Sequence, residues 1–216
     1  MVRLVAISDT HGAHDRVSVP DGDILVHAGD LTGLGELAEL HRANDFLAAQ
    51  PHAHKVVIAG NHDWCFVRQP DQARAALSAA RYLQDEAAEV CGLRFYGSPW
   101  QPWFLNWAFN LPRGPQLAAR WAAIPDDTDV LITHGPPRGI LDRTFAEAHA
   151  GCDALLARVT QIRPLTHIFG HIHEAAGVRV RGGTTFVNAS ACDSGRAVVL
   201  DIEGGVVHVR AVEALD

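Results

Sequence analysis

Short apolar runs that stop abruptly at polar or glycine residues set the rhythm of this chain. Leu4–Ile7 ends at Ser8-Asp9, Ile24–Val26 at His27, Val56–Ile58 at Ala59-Gly60, Val130–Ile132 at Thr133-His134, and Ile168-Phe169 at Gly170. Their brevity and β-branched content predict buried strands, because a strand covered on both faces reads as an unbroken apolar run. Between them the spacing becomes helical. Leu37, Leu40, Phe46 and Leu47 form an approximate stripe within Leu34–Gln50, which Pro51 stops, and Asp71 caps a second predicted helix running to about Tyr82. A third helix is predicted from Pro115, which suits a first helical turn, and a fourth over Cys152–Ile162, ahead of Arg163-Pro164. Strands alternating with helices predict α/β architecture.

Towards the C-terminus the pattern changes. Val178–Arg181 and Thr184–Asn188 flank Gly182-Gly183, and Ala197–Ile202 and Val206–Val212 flank Gly204-Gly205. Two-glycine turns accept positive φ, so each block predicts a tight antiparallel hairpin. Parallel units followed by hairpins imply mixed sheets. No repeat, linker or low-complexity stretch divides the 216 residues, and one domain over 1–216 is expected.

Composition narrows the classes of partner. With 48% apolar and 20% charged residues the chain is ordinary for a globular protein, and a net charge of −7 argues against a broad nucleic-acid surface. Any attraction for phosphate must be local. The opening Met-Val-Arg-Leu-Val-Ala-Ile-Ser-Asp lacks the zones of a signal peptide, and no run is long enough to span a bilayer, so no membrane association is expected. Cys65, Cys91, Cys152 and Cys192 are scattered without a CxxC pair, which favours reduced thiols and a cytoplasmic location.

The candidate chemistry sits where the apolar runs end. Asp9 and His11 are two apart just after a strand, where an extended backbone would send both to the same side, and His171 and His173 repeat the spacing around Ile172. Asp30 and Asn61 each follow a glycine, whose missing Cβ permits a sharp turn or a close approach. A single histidine beside a strand is usually structural. Acid, amide and imidazole groups at the end of one apolar run after another are harder to explain that way, because buried polar groups need partners.

Taken in order, Asp9-Thr10-His11, Gly29-Asp30, Gly60-Asn61-His62-Asp63, His134 and Gly170-His171-Ile172-His173 resemble the calcineurin-like metallophosphoesterase superfamily. Gly97-Ser98-Pro99-Trp100-Gln101-Pro102-Trp103, Asn106-Trp107-Ala108-Phe109-Asn110, Thr133-His134-Gly135-Pro136-Pro137 and Asn188-Ala189-Ser190 look like its metallophosphoesterase-domain group. The resemblance implies a four-layer αββα sandwich with two mixed sheets. It also implies a dinuclear centre: Asp9, His11 and His173 on one divalent cation, Asn61, His134 and His171 on the other, and Asp30 bridging. With a bridging hydroxide the first coordination shell would stay net positive and draw a phosphoester despite the acidic surface. Such a pair, about 3.5–4 Å apart, can orient a phosphoryl group for in-line attack. His62 resembles the histidine that protonates the departing oxygen, a role typically worth about 10²–10⁴-fold. Asp63 would orient His62 or serve only the loop's own hydrogen bonding.

Nitrogen donors argue against calcium and suit Mn²⁺, Fe²⁺ or Zn²⁺; manganese is the first expectation by resemblance. The expected activity is hydrolysis of small phosphodiesters, cyclic nucleotides included, with phosphomonoesters as the competing substrate class and a non-catalytic metal-binding module as the alternative of another kind. Asn61, His62 and Trp100 are candidate substrate contacts. The dense aromatic segment Trp100, Trp103, Phe104, Trp107, Phe109 would be either a stacking wall for a nucleobase or ordinary packing. Arg113, Arg138 and Arg143 are candidate substrate contacts or solvated surface, and His14, His27 and His167 among the remaining histidines are expected to be structural.

Overall fold

The fold is that of a computed structural model, which describes residues 1–210. The strands are β1 (Val2–Ile7), β2 (Ile24–His27), β3 (His54–Val57), β4 (Arg81–Tyr82), β5 (Glu86–Val90), β6 (Leu93–Ser98), β7 (Gln101–Pro102), β8 (Asn110–Leu111), β9 (Val130–Thr133), β10 (Thr166–Phe169), β11 (Gly177–Arg181), β12 (Thr184–Asn188), β13 (Val198–Glu203) and β14 (Val206–Val209). The α-helices are α1 (Leu37–Ala49), α2 (Cys65–Arg68), α3 (Pro70–Ala76), α4 (Pro115–Ala122) and α5 (Asp153–Ile162).

Two six-stranded mixed sheets carry the architecture, in the orders β14-β13-β1-β2-β3-β4 and β11-β12-β10-β9-β6-β5. Strands β1 to β4 run parallel in the first, and β6, β9, β10 and β12 run parallel in the second. Antiparallel strands complete each sheet: β13 and β14 in the first, β5 and β11 in the second. Because successive side chains on a strand point to opposite faces, each sheet packs on both sides. Leu4, Val26, Ile58, Phe95, Ile132 and Ile168 fill the space between the sheets. Val5, Leu25 and Val57 face α1 to α3 through Leu40, Leu47 and Phe66, while Leu131, Phe169 and Phe186 face α4 and α5 through Trp121, Leu155 and Val159. Three buried seams separate four layers, αββα.

The departures from the sequence pattern have local causes. Helix α1 starts at Leu37, not Leu34, because Glu36 and Glu39 form a reciprocal capping box. The helix expected from Asp71 to about Tyr82 is shorter and starts one residue earlier: α3 runs from Pro70 to Ala76, with Pro70 in its first turn and Asp71 already inside it rather than capping it, and the short α2 lies ahead of it. Arg81–Tyr82 leaves the helix to pair with β3, tertiary pairing overriding helical propensity. The β5–β6 hairpin had no obvious turn signal, yet Cys91 (φ 51°) and Gly92 (φ 75°) both adopt the positive φ that a tight turn needs. Both glycine hairpins form; the expected extension of the last strand to Val212 lies outside the described residues. All four cysteines are free, and no helix among the described residues is long and apolar enough to cross a membrane.

Candidate metal centre

The carboxyl ends of β1, β2 and β3 in one sheet and of β9 and β10 in the other open onto a common edge, and the loops leaving them carry the polar clusters. Asp9 and Asp30 lie just beyond β1 and β2, and Asn61 to Asp63 follow β3. His134 directly follows β9; His171 and His173 follow β10. The two sheets are laced together here. Ser8 bridges to Ser190, Ala191 N donates to Ser8 O, and His171 N reaches both carboxylate oxygens of Asp9 at 3.1 Å.

The side chains converge in three groups whose donor atoms lie within 4.8 Å of one another: Asp9–His11–His173, Asp30–His134–His171 and His11–Asp30–His62. His173 Nε2 is 3.4 Å from Asp9 Oδ1, His134 Nε2 is 3.3 Å from Asp30 Oδ2, and His11 Nε2 is 3.8 Å from that same oxygen. Asp30 therefore stands between the groups. Asn61 joins from the side, its Oδ1 2.9 Å from His134 Nε2.

How the residues converge differs from the alternation expected of extended backbone. Asp9 (φ 57°), His11 (φ 45°), Asp30 (φ 57°) and His171 (φ 70°) all adopt left-handed backbone, so neighbouring donors meet through tight turns rather than along strand edges. His173 begins a short 3₁₀ turn. Two glycines make room. A Cβ on Gly60 would overlap Asp30 Oδ1, and one on Gly170 would overlap Asp9 Oδ2.

The electrostatics call for positive charge. Asp9 and Asp30 are essentially without solvent contact, and among the described residues their ion-pair partners are histidines only. Burial resists their ionisation, but hydrogen-bonded His173 and the nearby His134 and His11 outweigh it at Asp9, and His134 does so at Asp30, holding both below the usual carboxylate range. Reciprocally, His134 resists protonation by its burial yet is pushed up to about 9 by Asp30, and His173 is raised to about 11 chiefly by its bond to Asp9. His171 is driven down to about 3 by burial and keeps a free lone pair. Two buried carboxylates that attract protons onto imidazoles, with neutral imidazoles beside them, fit divalent cations, whose binding displaces such protons. The nitrogen-rich donor set suits manganese, iron or zinc better than calcium.

His62 lies on the rim. Its Nδ1 donates to Gly33 O at 2.7 Å, its backbone N donates to Asp30 Oδ1 at 2.8 Å, and its ring stacks on Trp107 with centroids 4.1 Å apart. Glu39, in the first turn of α1, accepts from Gly33 N, so the helix start holds the carbonyl that orients the imidazole. Asp63 does not orient His62. Its buried carboxylate accepts from Gly60 N, Leu31 N, Thr32 N and the Thr32 hydroxyl, and so ties the β2 and β3 loops together.

Trp100 is not positioned as a substrate contact. Its Nε1 donates to Asp85 at 2.8 Å and Arg120 covers its ring, so it braces α4 against the sheet. Trp107, in the same aromatic segment, takes the place beside His62. Arg113, Arg138 and Arg143 are committed to Ala150 and Gly151 carbonyls, to His149 O and to Glu147, respectively. His14 is buried against Phe46 and belongs to none of the ligand groups. Gly33 and Glu39 carried no motif that sequence could have flagged, because each acts across a loop; Trp107 stood within the flagged aromatic segment, but its pairing with His62 was not readable there.

A model of the calcineurin-like phosphoesterase family matches residues 2–175. The chain belongs to that family. Within it the chain falls in the metallophosphoesterase-domain group: it is 43% identical over 215 residues to human metallophosphoesterase domain-containing protein 1, covering 88% of this chain and 66% of the human protein. The chain thus spans just under two thirds of that relative. UPF0046 protein K07C11.7 of Caenorhabditis elegans is 41% identical over 211 residues, covering 91% and 72% of the two chains. Among solved structures, TT1561 of Thermus thermophilus superposes with a TM-score of 0.65 at 12% identity over 97% and 98% of the chains, a likeness of fold. In this chain the αββα frame brings Asp9, His11, Asp30, Asn61, His134, His171 and His173 together at one edge.

Proposed function

We propose that this protein is a metal-dependent phosphoesterase that hydrolyses small phosphodiesters, cyclic nucleotides included, at a centre of two divalent cations, manganese first among them. The observation that carries this reading is the pair of adjoining donor groups, Asp9–His11–His173 and Asp30–His134–His171, with His62 directly beside them. Asp9, His11 and His173 would hold one cation and Asn61, His134 and His171 the other, with Asp30 shared. Cations bound there supply Lewis acidity towards the phosphoryl oxygens and a hydroxide nucleophile near neutral pH.

The chain's own residues do the rest. Because a carbonyl can only accept, His62 keeps its Nδ1 proton on Gly33 O, and Nε2 is left as the position that takes up and releases a proton. Stacking on Trp107 restricts the ring's rotation. As an imidazolium, His62 would pass the Nε2 proton to the departing oxygen, which matters most for alkoxide leaving groups. The preference for diesters has a hydrogen-bonding motive. A monoester dianion gains from an arginine or lysine free to donate to its extra oxygen, but Arg113, the arginine lining the cleft beside His171, turns both terminal nitrogens to backbone carbonyls at 2.7 Å.

The test is a paired assay of purified protein, after elemental analysis, with bis(p-nitrophenyl) phosphate and p-nitrophenyl phosphate under added Mn²⁺, Fe²⁺ or Zn²⁺. Faster turnover of the diester with manganese is expected. Faster turnover of the monoester would reverse the substrate preference, and no turnover with any metal would leave a binding module in place of an enzyme.

A further inference from the structure

On the His171 side of the centre a cleft of about 440 Å³ is walled by aromatic side chains that solvent still wets. Trp103 (61% exposed) and Phe104 (55%) come from the loop between β7 and β8, and Phe145 (84%) from the loop between β9 and α5. Gly135, Pro136 and His171 itself lie between these walls. The Phe104 and His171 rings approach edge to face, with centroids 6.4 Å apart, so the cleft adjoins the ligand group directly.

The walls are held, not merely exposed. Asn110 Nδ2 donates to Phe104 O and Leu105 O, fixing the first loop at 3.0 and 3.1 Å. Phe145 N donates to Glu174 Oε1 at 2.6 Å, tying the tip of the second loop to the residue after His173. Arg143 pairs with His149 as an isolated bridge and Thr144 N donates to Ala148 O, closing that loop on itself. Large apolar side chains kept facing a charged centre at the surface mark a binding surface rather than unfinished core.

We propose that this cleft binds a planar aromatic group esterified to the phosphate, and that it selects aromatic over aliphatic esters with little discrimination among hydrogen-bonding patterns. This rests on the phosphodiesterase reading above. The commitment to one occupant follows from continuity: the cleft that Trp103 and Phe145 line also includes His171, so a group carried on the phosphate at the centre enters it directly. The lack of edge selectivity follows from the lining. Arg113 turns both terminal nitrogens to the Gly151 and Ala150 carbonyls, one Glu174 oxygen accepts from Phe145 N, and the Thr144 hydroxyl donates to Ala148 O, so the polar side chains of the lining are turned largely to backbone groups rather than to a ring's edge. Stacking is tolerant because every planar ring offers a π-face.

The experiment compares p-nitrophenyl phenyl phosphate with methyl p-nitrophenyl phosphate, which share a leaving group and differ only in the retained ester. In manganese-loaded protein the phenyl ester should be favoured by about tenfold in kcat/KM, the scale of one stacked ring. Trp103→Ala and Phe145→Ala should each bring the ratio down towards one. Binding of phenylphosphonate and methylphosphonate, measured by calorimetry on the same proteins, gives a readout that needs no turnover, and the same preference and loss are expected. Equal affinity for the two phosphonates in the unaltered protein, or a preference that survives both substitutions, overturns the cleft assignment. Absent turnover with an intact phenylphosphonate preference would instead overturn the phosphodiesterase reading and leave the cleft standing. Purine and pyrimidine nucleoside p-nitrophenyl diesters with kcat/KM values differing by much more than the phenyl-to-methyl ratio would contradict the stated indifference to ring edges.

Discussion

The two halves of the sandwich feed the centre with different chemistry. Loops of the first sheet bring both carboxylates, Asp9 and Asp30, together with Asn61 and His11; those of the second bring imidazoles alone, His134, His171 and His173. Negative charge is thus concentrated on one wall and neutral or protonated nitrogen on the other. The scaffolding behind the walls is nevertheless matched. In the first sheet buried His27 bonds Thr10, between Asp9 and His11, at 2.9 Å; in the second, buried His167 bonds Thr133, which precedes His134, at 2.8 Å. Alike supports under unlike donors imply that the sheets share the task of fixing loop geometry and divide that of supplying charge.

The strongest way to break this picture is at Asp30, the residue that stands between the donor groups. Asp30→Asn removes the shared charge, and both turnover and bound metal should be lost together, as read by assay and elemental analysis; retention of a full metal complement would show that the walls bind independently. Next comes His62→Ala, which should cost about 10²–10⁴-fold in turnover of alkyl diesters with metal content kept. The loss should be smaller for p-nitrophenyl esters, whose leaving group needs no proton. An equal loss on both would remove His62 from proton transfer.

The supports come third. Thr10→Val severs the His27 bond and Thr133→Val the bonds to His167 and Gly135 O; because neither threonine touches a candidate ligand's side chain, each should weaken metal binding by less than the roughly 10–100-fold typical of losing a ligand's own hydrogen-bond partner. Calorimetric titration with Mn²⁺ separates the walls: if only one variant is affected, the two supports are not equivalent. The smallest effect concerns stability against acid. Burial depresses both His27 and His167 to about 3, far below the value of about 6.5 expected in the unfolded chain. Each therefore binds its proton more readily unfolded, so its full contribution is present above about pH 6.5 and declines as pH falls from there towards about 3. Urea denaturation of wild-type and His167→Gln protein at about pH 7, 6 and 5 should give a shallower acid decline in the variant, by up to about one proton. Parallel declines would mean that His167 titrates alike in both states.

Much of the site was legible because its candidate ligands are polar residues at the ends of apolar runs, where strand carboxyl ends gather. The means of convergence was not legible: positive φ at Asp9, His11 and His171 is a property of turns whose partners lie across the sheet. The role of Asp63 was likewise hidden. Next to His62 in sequence, its carboxylate turns away to hold the amides of Leu31, Thr32 and Gly60, the first two of them some thirty positions earlier. Trp100 misled for the opposite reason, since an aromatic residue looks the same in sequence whether it faces a ligand or is held by Asp85 and Arg120.

By itself the sequence determined the class of fold, the two glycine hairpins and most of the polar residues that gather at the site, because hydrophobic periodicity and the scarcity of buried polar groups are local and compositional constraints. Only the tertiary structure decided that Asp9, His11, Asp30 and His171 meet through left-handed turns, that Gly33 rather than Asp63 orients His62, and that Trp103 and Phe145 line one cleft beside His171. Those facts depend on how two sheets register at a shared edge, and that registration is fixed by contacts between residues far apart along the chain.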